Sequence, residues 1–149
     1  MKIGIASDHR GYNLKEEIIK NLENKYEFKN LGTFSTDSVD YPDYAFKLGK
    51  EVVNKNVDFG IAICGSGIGI SIACNKVKGI FCATGSKRDE AKYTRLDNDS
   101  NIVAFSSDIS LENAIDIVTT FVETSFSNEQ RHINRINKIK DYEDGNYEC

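Results

Sequence analysis

The run Cys64-Gly65-Ser66-Gly67-Ile68-Gly69 sets a thiol and a hydroxyl among glycines spaced two apart, directly after the apolar stretch Phe59-Gly60-Ile61-Ala62-Ile63. A strand that empties into such a turn leads into a helix whose first N–H groups lack internal partners and attract anionic oxygen. A cysteine beside those amides can have its pKa drawn from about 8.5 toward neutrality, which makes it a base or a nucleophile. The loop reads as a place for chemistry on an oxyanion, against the alternative of a tight turn with no chemistry. Two nucleotide templates are excluded. The Gly-Lys-Ser/Thr ending of a P-loop is absent, and glycines at 65, 67 and 69 miss the dinucleotide fingerprint.

The elements that must position this loop follow from hydrophobic patterning. Short apolar runs at Lys2 to Ala6, Tyr26 to Leu31, Phe59 to Ile63, Ile80 to Thr84 and Ile102 to Phe105 read as strands buried on both faces. Between them, Leu14, Ile18, Ile19 and Leu22, then Ala45, Leu48, Val52 and Val53, recur at helical spacing, and Leu111 to Val122 forms another such stretch. Five strand-and-helix units predict a single α/β domain over 1–149, a doubly wound parallel sheet with helices on both faces. The polar stretch 141–149 is expected to fray.

In such folds ligands sit beyond the carboxyl ends of the strands. The segments expected there carry Asp8 and His9 after the first strand, Tyr41 within Asp40-Tyr41-Pro42-Asp43, the Cys64 loop, and Asp97-Asn98-Asp99. All are expected on one rim. Taken singly, Asp8 reads equally as a helix cap, Tyr41 and Pro42 as a packed turn, and residues 97–99 as a solvated acidic loop. Near the C-terminus, Ser127 to Gln130 fits a capping box that would start a helix at Asn128. Arg131 and Arg135 then share a face beside His132, either to grip one phosphate or to form a solvated basic surface.

Composition bounds the rest. With 149 residues and 40% hydrophobic content the chain can bury an ordinary core, and a net charge of −4 gives no general nucleic-acid footprint. Cys74 and Cys82 lie in apolar runs and read as small hydrophobes, and no spacing among the four cysteines suggests a zinc site or a redox pair. Without a visible signal sequence or membrane-length apolar run, a reducing cytoplasm is the expected compartment, with no membrane partner.

Taken in order, Ile3 to His9 with Gly11, Asp40-Tyr41-Pro42-Asp43, Cys64 to Gly69, Ala73 to Lys76, Asn98 to Asn101, and Arg131-His132 with Arg135 resemble the type B ribose-5-phosphate isomerase family, which includes the galactose-6-phosphate isomerase subunits. The resemblance spans about residues 2 to 140. It implies a cofactor- and metal-independent aldose–ketose isomerisation in a homodimer, or in a tetramer of paired dimers, with the site between subunits. It implies Cys64 as the base of an enediolate mechanism, with Ser66 and the backbone of Gly65, Gly67, Gly69 and Ile70 holding the oxyanion. By the same resemblance Asp8 and Tyr41 contact sugar hydroxyls, Asn98 a substrate oxygen, and His9, Arg131 and Arg135 the phosphate.

Two positions depart from that family. A histidine assigned to opening the sugar ring usually stands where this chain has Asp97, and a carboxyl of ordinary acidity accepts protons near neutrality better than it gives them. Asp108 replaces an arginine that adds to phosphate binding, a loss that Arg10, Lys87 or Arg88 could offset. Beside the pentose phosphate isomerase stand an isomerase retuned to another sugar or hexose phosphate and a silent sugar-phosphate-binding subunit. The retained Cys64 and Ser66 weigh against silence.

Overall fold

Side-chain alternation along the central strands decides how the layers pack. In the computed structural model, which describes residues 1–149, β1 (Lys2–Ser7), β3 (Phe59–Cys64) and β5 (Ile102–Ser106) point Ile3, Ile5, Ile61, Ile63, Val103 and Phe105 to one face. The opposite face carries Gly4, Ala6, Gly60, Ala62 and Ala104, with Ile102 and Cys64 at its two ends. That second surface is so shallow that Leu48 of α2 (Tyr41–Val53) lies 2.9 Å from where a Cβ on Gly4 would stand. Large residues on one face and small ones on the other seat the two helix layers at different depths on the sheet.

Two further strands, β2 (Glu27–Asn30) and β4 (Cys82–Thr84), complete a five-stranded sheet in the order β2-β1-β3-β5-β4, every pairing parallel. Helices α1 (Tyr12–Leu22), α4 (Arg88–Asn98) and α5 (Leu111–Glu123) contribute to the core on the large-residue face, and α2 and α3 (Ile68–Asn75) to that on the other. The expected doubly wound architecture is therefore present. A last helix, α6 (Gln130–Glu143), contacts α4. No helix is long and apolar enough to cross a membrane.

Local readings shift at the edges. Cys64 is itself the last residue of β3, and β4 is shorter than its apolar run, beginning at Cys82. The capping box at Ser127 does not form: Asn128 takes a left-handed φ of 59°, incompatible with a helix, and α6 starts at Gln130 after Glu129. Residues 141–143, expected to fray, complete α6.

Candidate active site

Strand order places the reversal of chain winding between β1 and β3, so the loops after these strands are neighbours at the carboxyl rim. The Asp8 N–H donates to the Ile63 carbonyl at 3.2 Å, and a Cβ on Gly11 would stand 2.8 Å from Ile63. Asp8, only 6% exposed, accepts the Arg10 and Gly11 amides through Oδ1 at 3.0 and 3.1 Å. Oδ2 takes no part in these bonds, so Asp8 both shapes the turn into α1 and retains an acceptor. The neighbouring His9 accepts the Val39 N–H on Nδ1 at 3.1 Å. With Nδ1 used as an acceptor, the neutral ring carries its proton on Nε2, a donor suited to an anionic oxygen.

The cysteine loop is clamped from β5. Ser106 Oγ donates to the Gly65 carbonyl at 2.6 Å, and the Ser107 N–H to the Cys64 carbonyl at 2.9 Å. Gly67 caps α3 at φ 77°, and a Cβ there would fall 2.6 Å from the Phe105 carbonyl carbon, so glycine is required on both counts. Ser66 Oγ accepts the Ile68 N–H at 3.2 Å, while the Gly69 and Ile70 amides, in the first turn of α3, have no intrahelical acceptor. Cys64 is 4% exposed beneath this turn. On the β4–β5 side of the loop a cavity of about 270 Å³ opens, lined in part by Ser66, Ile68, Ser86 and Ser106 and not by Cys64 itself.

Two side chains lean over the glycines. Tyr41, expected on a loop, instead opens α2, and its hydroxyl lies 2.9 Å from where a Cβ on Gly69 would stand. Arg10 crosses the loop, its Nη1 2.6 Å from the corresponding point on Gly65. The carboxyl rim thus gathers a thiol, a hydroxyl, helix N-terminal amides, a carboxylate, an imidazole, a phenol and a guanidinium. These groups can remove a carbon-bound proton and hold the negative oxygen that results.

Asp97 and Asn98 do not join this rim. They form the last turn of α4, and β5 begins four residues later at Ile102. Cys64 is level with Ser106 at the far end of β5, so the strand alone separates the two regions by about 13 Å. Asp97 Oδ1 lies 3.4 Å from His132 Nε2 of α6. Arg131 and Arg135, one turn apart on α6 and both exposed, therefore belong to the amino rim with Asp97. The expectation of one shared rim within a chain fails for these residues because a helix that returns from a parallel strand ends at the opposite edge of the sheet.

The family model for ribose/galactose isomerases matches residues 3–139. The chain belongs to the ribose/galactose isomerase family. Ribose-5-phosphate isomerase B of Escherichia coli is 40% identical over 140 residues, covering 93% of each chain. Among solved structures, ribose-5-phosphate isomerase B of Clostridium thermocellum superposes with a TM-score of 0.94 at 44% identity, covering 99% of this chain and 100% of the other. The Mycoplasma genitalium ribose-5-phosphate isomerase B with bound ribulose-5-phosphate superposes with a TM-score of 0.89 at 37% identity, covering 96% of each. Proteins of this family are sugar isomerases, and this chain is one of them.

Three features of this isomerase escape a reading of its sequence. Arg10 reaches the glycine loop, a placement that needs the β1 and β3 turns side by side. His132 is buried between helices, although every residue near it in sequence is polar except Ile133. Cys74 and Cys82, with no close spacing, are brought together by α3 and β4. The neighbouring Cys74 thiol, then burial, pushes the Cys82 thiol well above the ordinary cysteine value, which makes it an inert packing group rather than a second nucleophile.

Proposed function

We propose that this isomerase interconverts ribose 5-phosphate and ribulose 5-phosphate through an enediolate, in a homodimer whose two sites each combine the carboxyl rim of one protomer with the amino rim of the other. Cys64 as thiolate takes the proton from C2 of the open aldose, the C2–H electrons form the C1–C2 double bond of an enediolate as the C1 carbonyl electrons move onto O1, and the proton returns at C1 while the hydroxyl proton passes from O2 to O1. Ser66 and the Gly69 and Ile70 amides hold the oxyanion, with Gly65 and Gly67 shaping the loop. Asp8 and Tyr41 bind sugar hydroxyls, and Asn98 a substrate oxygen. His9, Arg131 and Arg135 hold the phosphate, with Arg10 supplying a cation on the Cys64 side. Asp97 stands at the ring oxygen.

The single observation that carries this reading is the clamped Cys64 turn beneath the unpaired amides of α3. Bound ribulose-5-phosphate in the Mycoplasma relative favours the pentose. Shared sites account for groups that one chain keeps at opposite ends of its sheet. Ile68 and Ile72, 60% and 57% exposed on α3 beside the Cys64 turn, give a partner an apolar seat. Asp108, exposed at the end of β5 and donating its backbone N–H to Ser106 Oγ at 3.0 Å, favours a second reading in which a different sugar phosphate is the preferred substrate. The free cysteines fit a cytoplasmic setting.

Incubation with ribose 5-phosphate in deuterated water tests both readings. Ketose formation with deuterium entering the transferred position, abolished in Cys64→Ala while binding of a phosphate-bearing inhibitor survives, is the expected result. Turnover that survives the substitution sinks Cys64 as base. Faster exchange on allose or galactose 6-phosphate transfers the assignment to the second reading.

A further inference from the structure

Both histidines of the chain stand at a rim, and they are held differently. His9 is fixed by a backbone donor, whereas His132 is 6% exposed and its Nε2 is buried without a hydrogen-bond partner. Buried ring nitrogens are rarely left unpaired, and one that is points to a group it meets in another state of the molecule. The acidic oxygen facing it is Asp97 Oδ1 at 3.4 Å, slightly beyond a hydrogen bond. The two partners differ in access, the His132 side chain being 8% exposed and that of Asp97 44%.

Two of the neighbouring cations are otherwise engaged. Arg95 of α4 donates to the Thr124 and Ser100 carbonyls and to Asp99, and Arg131 pairs with Glu129. Asp97 is left as the one carboxylate paired with His132, and His132 as the one imidazole behind Asp97.

We propose that Asp97 and His132 form a proton-sharing pair that opens the sugar ring, with Asp97 touching the ring and His132 positioning it and supplying its proton. An aspartate alone has no proton to give near neutrality, whereas an imidazolium does. The buried histidine turns an exposed carboxylate into a donor. In the step itself the pair gives its proton to the ring oxygen as the bond from that oxygen to C1 breaks. The C1 hydroxyl proton returns to the pair as the C1 carbonyl forms, so the pair ends as it began. The substrate class is a cyclic aldose phosphate, presented by the carboxyl rim of the partner protomer. This rests on the isomerase reading above and goes beyond it by moving the acid from residue 97 to a pair spanning α4 and α6.

The test separates ring opening from isomerisation. Ribose 5-phosphate enters as a furanose, but ribulose 5-phosphate has its C5 oxygen esterified and cannot close such a ring. Exchange of its C1 hydrogen with deuterated solvent therefore reports the Cys64 chemistry alone. His132→Asn and Asp97→Asn are each expected to lower kcat/KM for ribose 5-phosphate by about a hundredfold while changing C1 exchange by less than about threefold. The double variant should be no worse than either single one, as for two groups acting as a unit. Retained exchange also shows that each variant is folded, and half-exposed Asp97 gives a test independent of any packing damage at His132. Equal loss of both rates, loss of neither, or additive losses would overturn the pair. Absence of C1 exchange in the unaltered protein would instead overturn the isomerase reading.

Discussion

At the carboxyl rim most of what could meet a substrate is backbone or short side chain: the Gly69 and Ile70 amides, Ser66 Oγ and the thiol of Cys64, locked by Ser106 and Ser107 from the neighbouring strand. At the amino rim it is long side chain on helix surface, with Arg131 and Arg135 exposed on α6 and Asn98 exposed at the end of α4. The difference fits the roles proposed above for the two halves. Proton abstraction needs groups fixed to fractions of an ångström, and strand ends that hydrogen-bond to one another supply that rigidity. Grasping a phosphate needs charge at reach, and mobile guanidinium groups that settle on arrival are sufficient. With the two at opposite ends of one sheet, the proposed mechanism requires a second copy as part of the catalyst.

The largest effect expected from that division is all-or-none. Cys64→Ala disables every carboxyl rim, and a variant combining Asn98→Ala, Arg131→Gln and Arg135→Gln disables every amino rim. Each should be inactive when made alone. Co-expressed, half the dimers are mixed and one of the two sites in each is intact, so about a quarter of normal activity returns. A site contained within one chain would give no recovery. That result would require Asp97 and the arginines to act on something other than the Cys64 substrate.

A graded effect sharpens the same comparison. Arg131→Gln with Arg135→Gln is expected to raise KM for a sugar phosphate by about 10- to 100-fold with a smaller change in kcat, since phosphate contacts are made before and during the reaction alike. If kcat falls by as much as KM rises, the amino rim takes part in the chemical step beyond anchoring. An unchanged KM would return both arginines to a solvated basic surface.

At the carboxyl rim the Cys64 turn and the Asp8-His9 turn were legible in the residues because each is contiguous with its strand. β-Branched runs mark the buried strands, and each strand hands directly to the loop that carries its functional group. The amino rim was not. Helix α4 buries only Ala91, Thr94 and Arg95 of its eleven residues, so it has no apolar period, and Asp97 and Asn98 read as a loop at the wrong end of the sheet. The one faint signal was on α6, where His132 and Ile136, four apart, are its only buried residues. A histidine in register with an isoleucine marks an inward face. What His132 meets there depends on how α4 and α6 pack, which no spacing within either helix contains. The Cys74 and Cys82 contact failed to show for the same reason.

Buried polar groups extend the comparison to stability. Near the carboxyl rim Lys15 is wholly buried, yet its Nζ donates to Glu16 at 2.7 Å and Asn30 at 2.9 Å and lies over the rings of Tyr12 and Phe34. Unlike His132 it is wholly enclosed by partners within the fold, so its role is structural. Burial lowers its pKa from the ordinary 10.5, outweighing the upward pull of Glu16. Between that lowered value and 10.5 the unfolded chain binds more protons at this position than the folded one, so Lys15 makes stability rise with pH across that interval. Lys15→Met should remove this rise while keeping neutral-pH stability within about 2 kcal/mol, because the Glu16 carboxylate left behind is 39% exposed and is resolvated by water. The difference between the two denaturation profiles isolates the lysine from other alkaline titrations, notably Tyr26, whose phenol is raised by burial and by Glu123. Parallel profiles would mean that the amine is as well solvated in the fold as outside it. A loss of turnover at unchanged stability would draw Lys15 into the site and erase the distinction between a partnered buried group and an unpaired one.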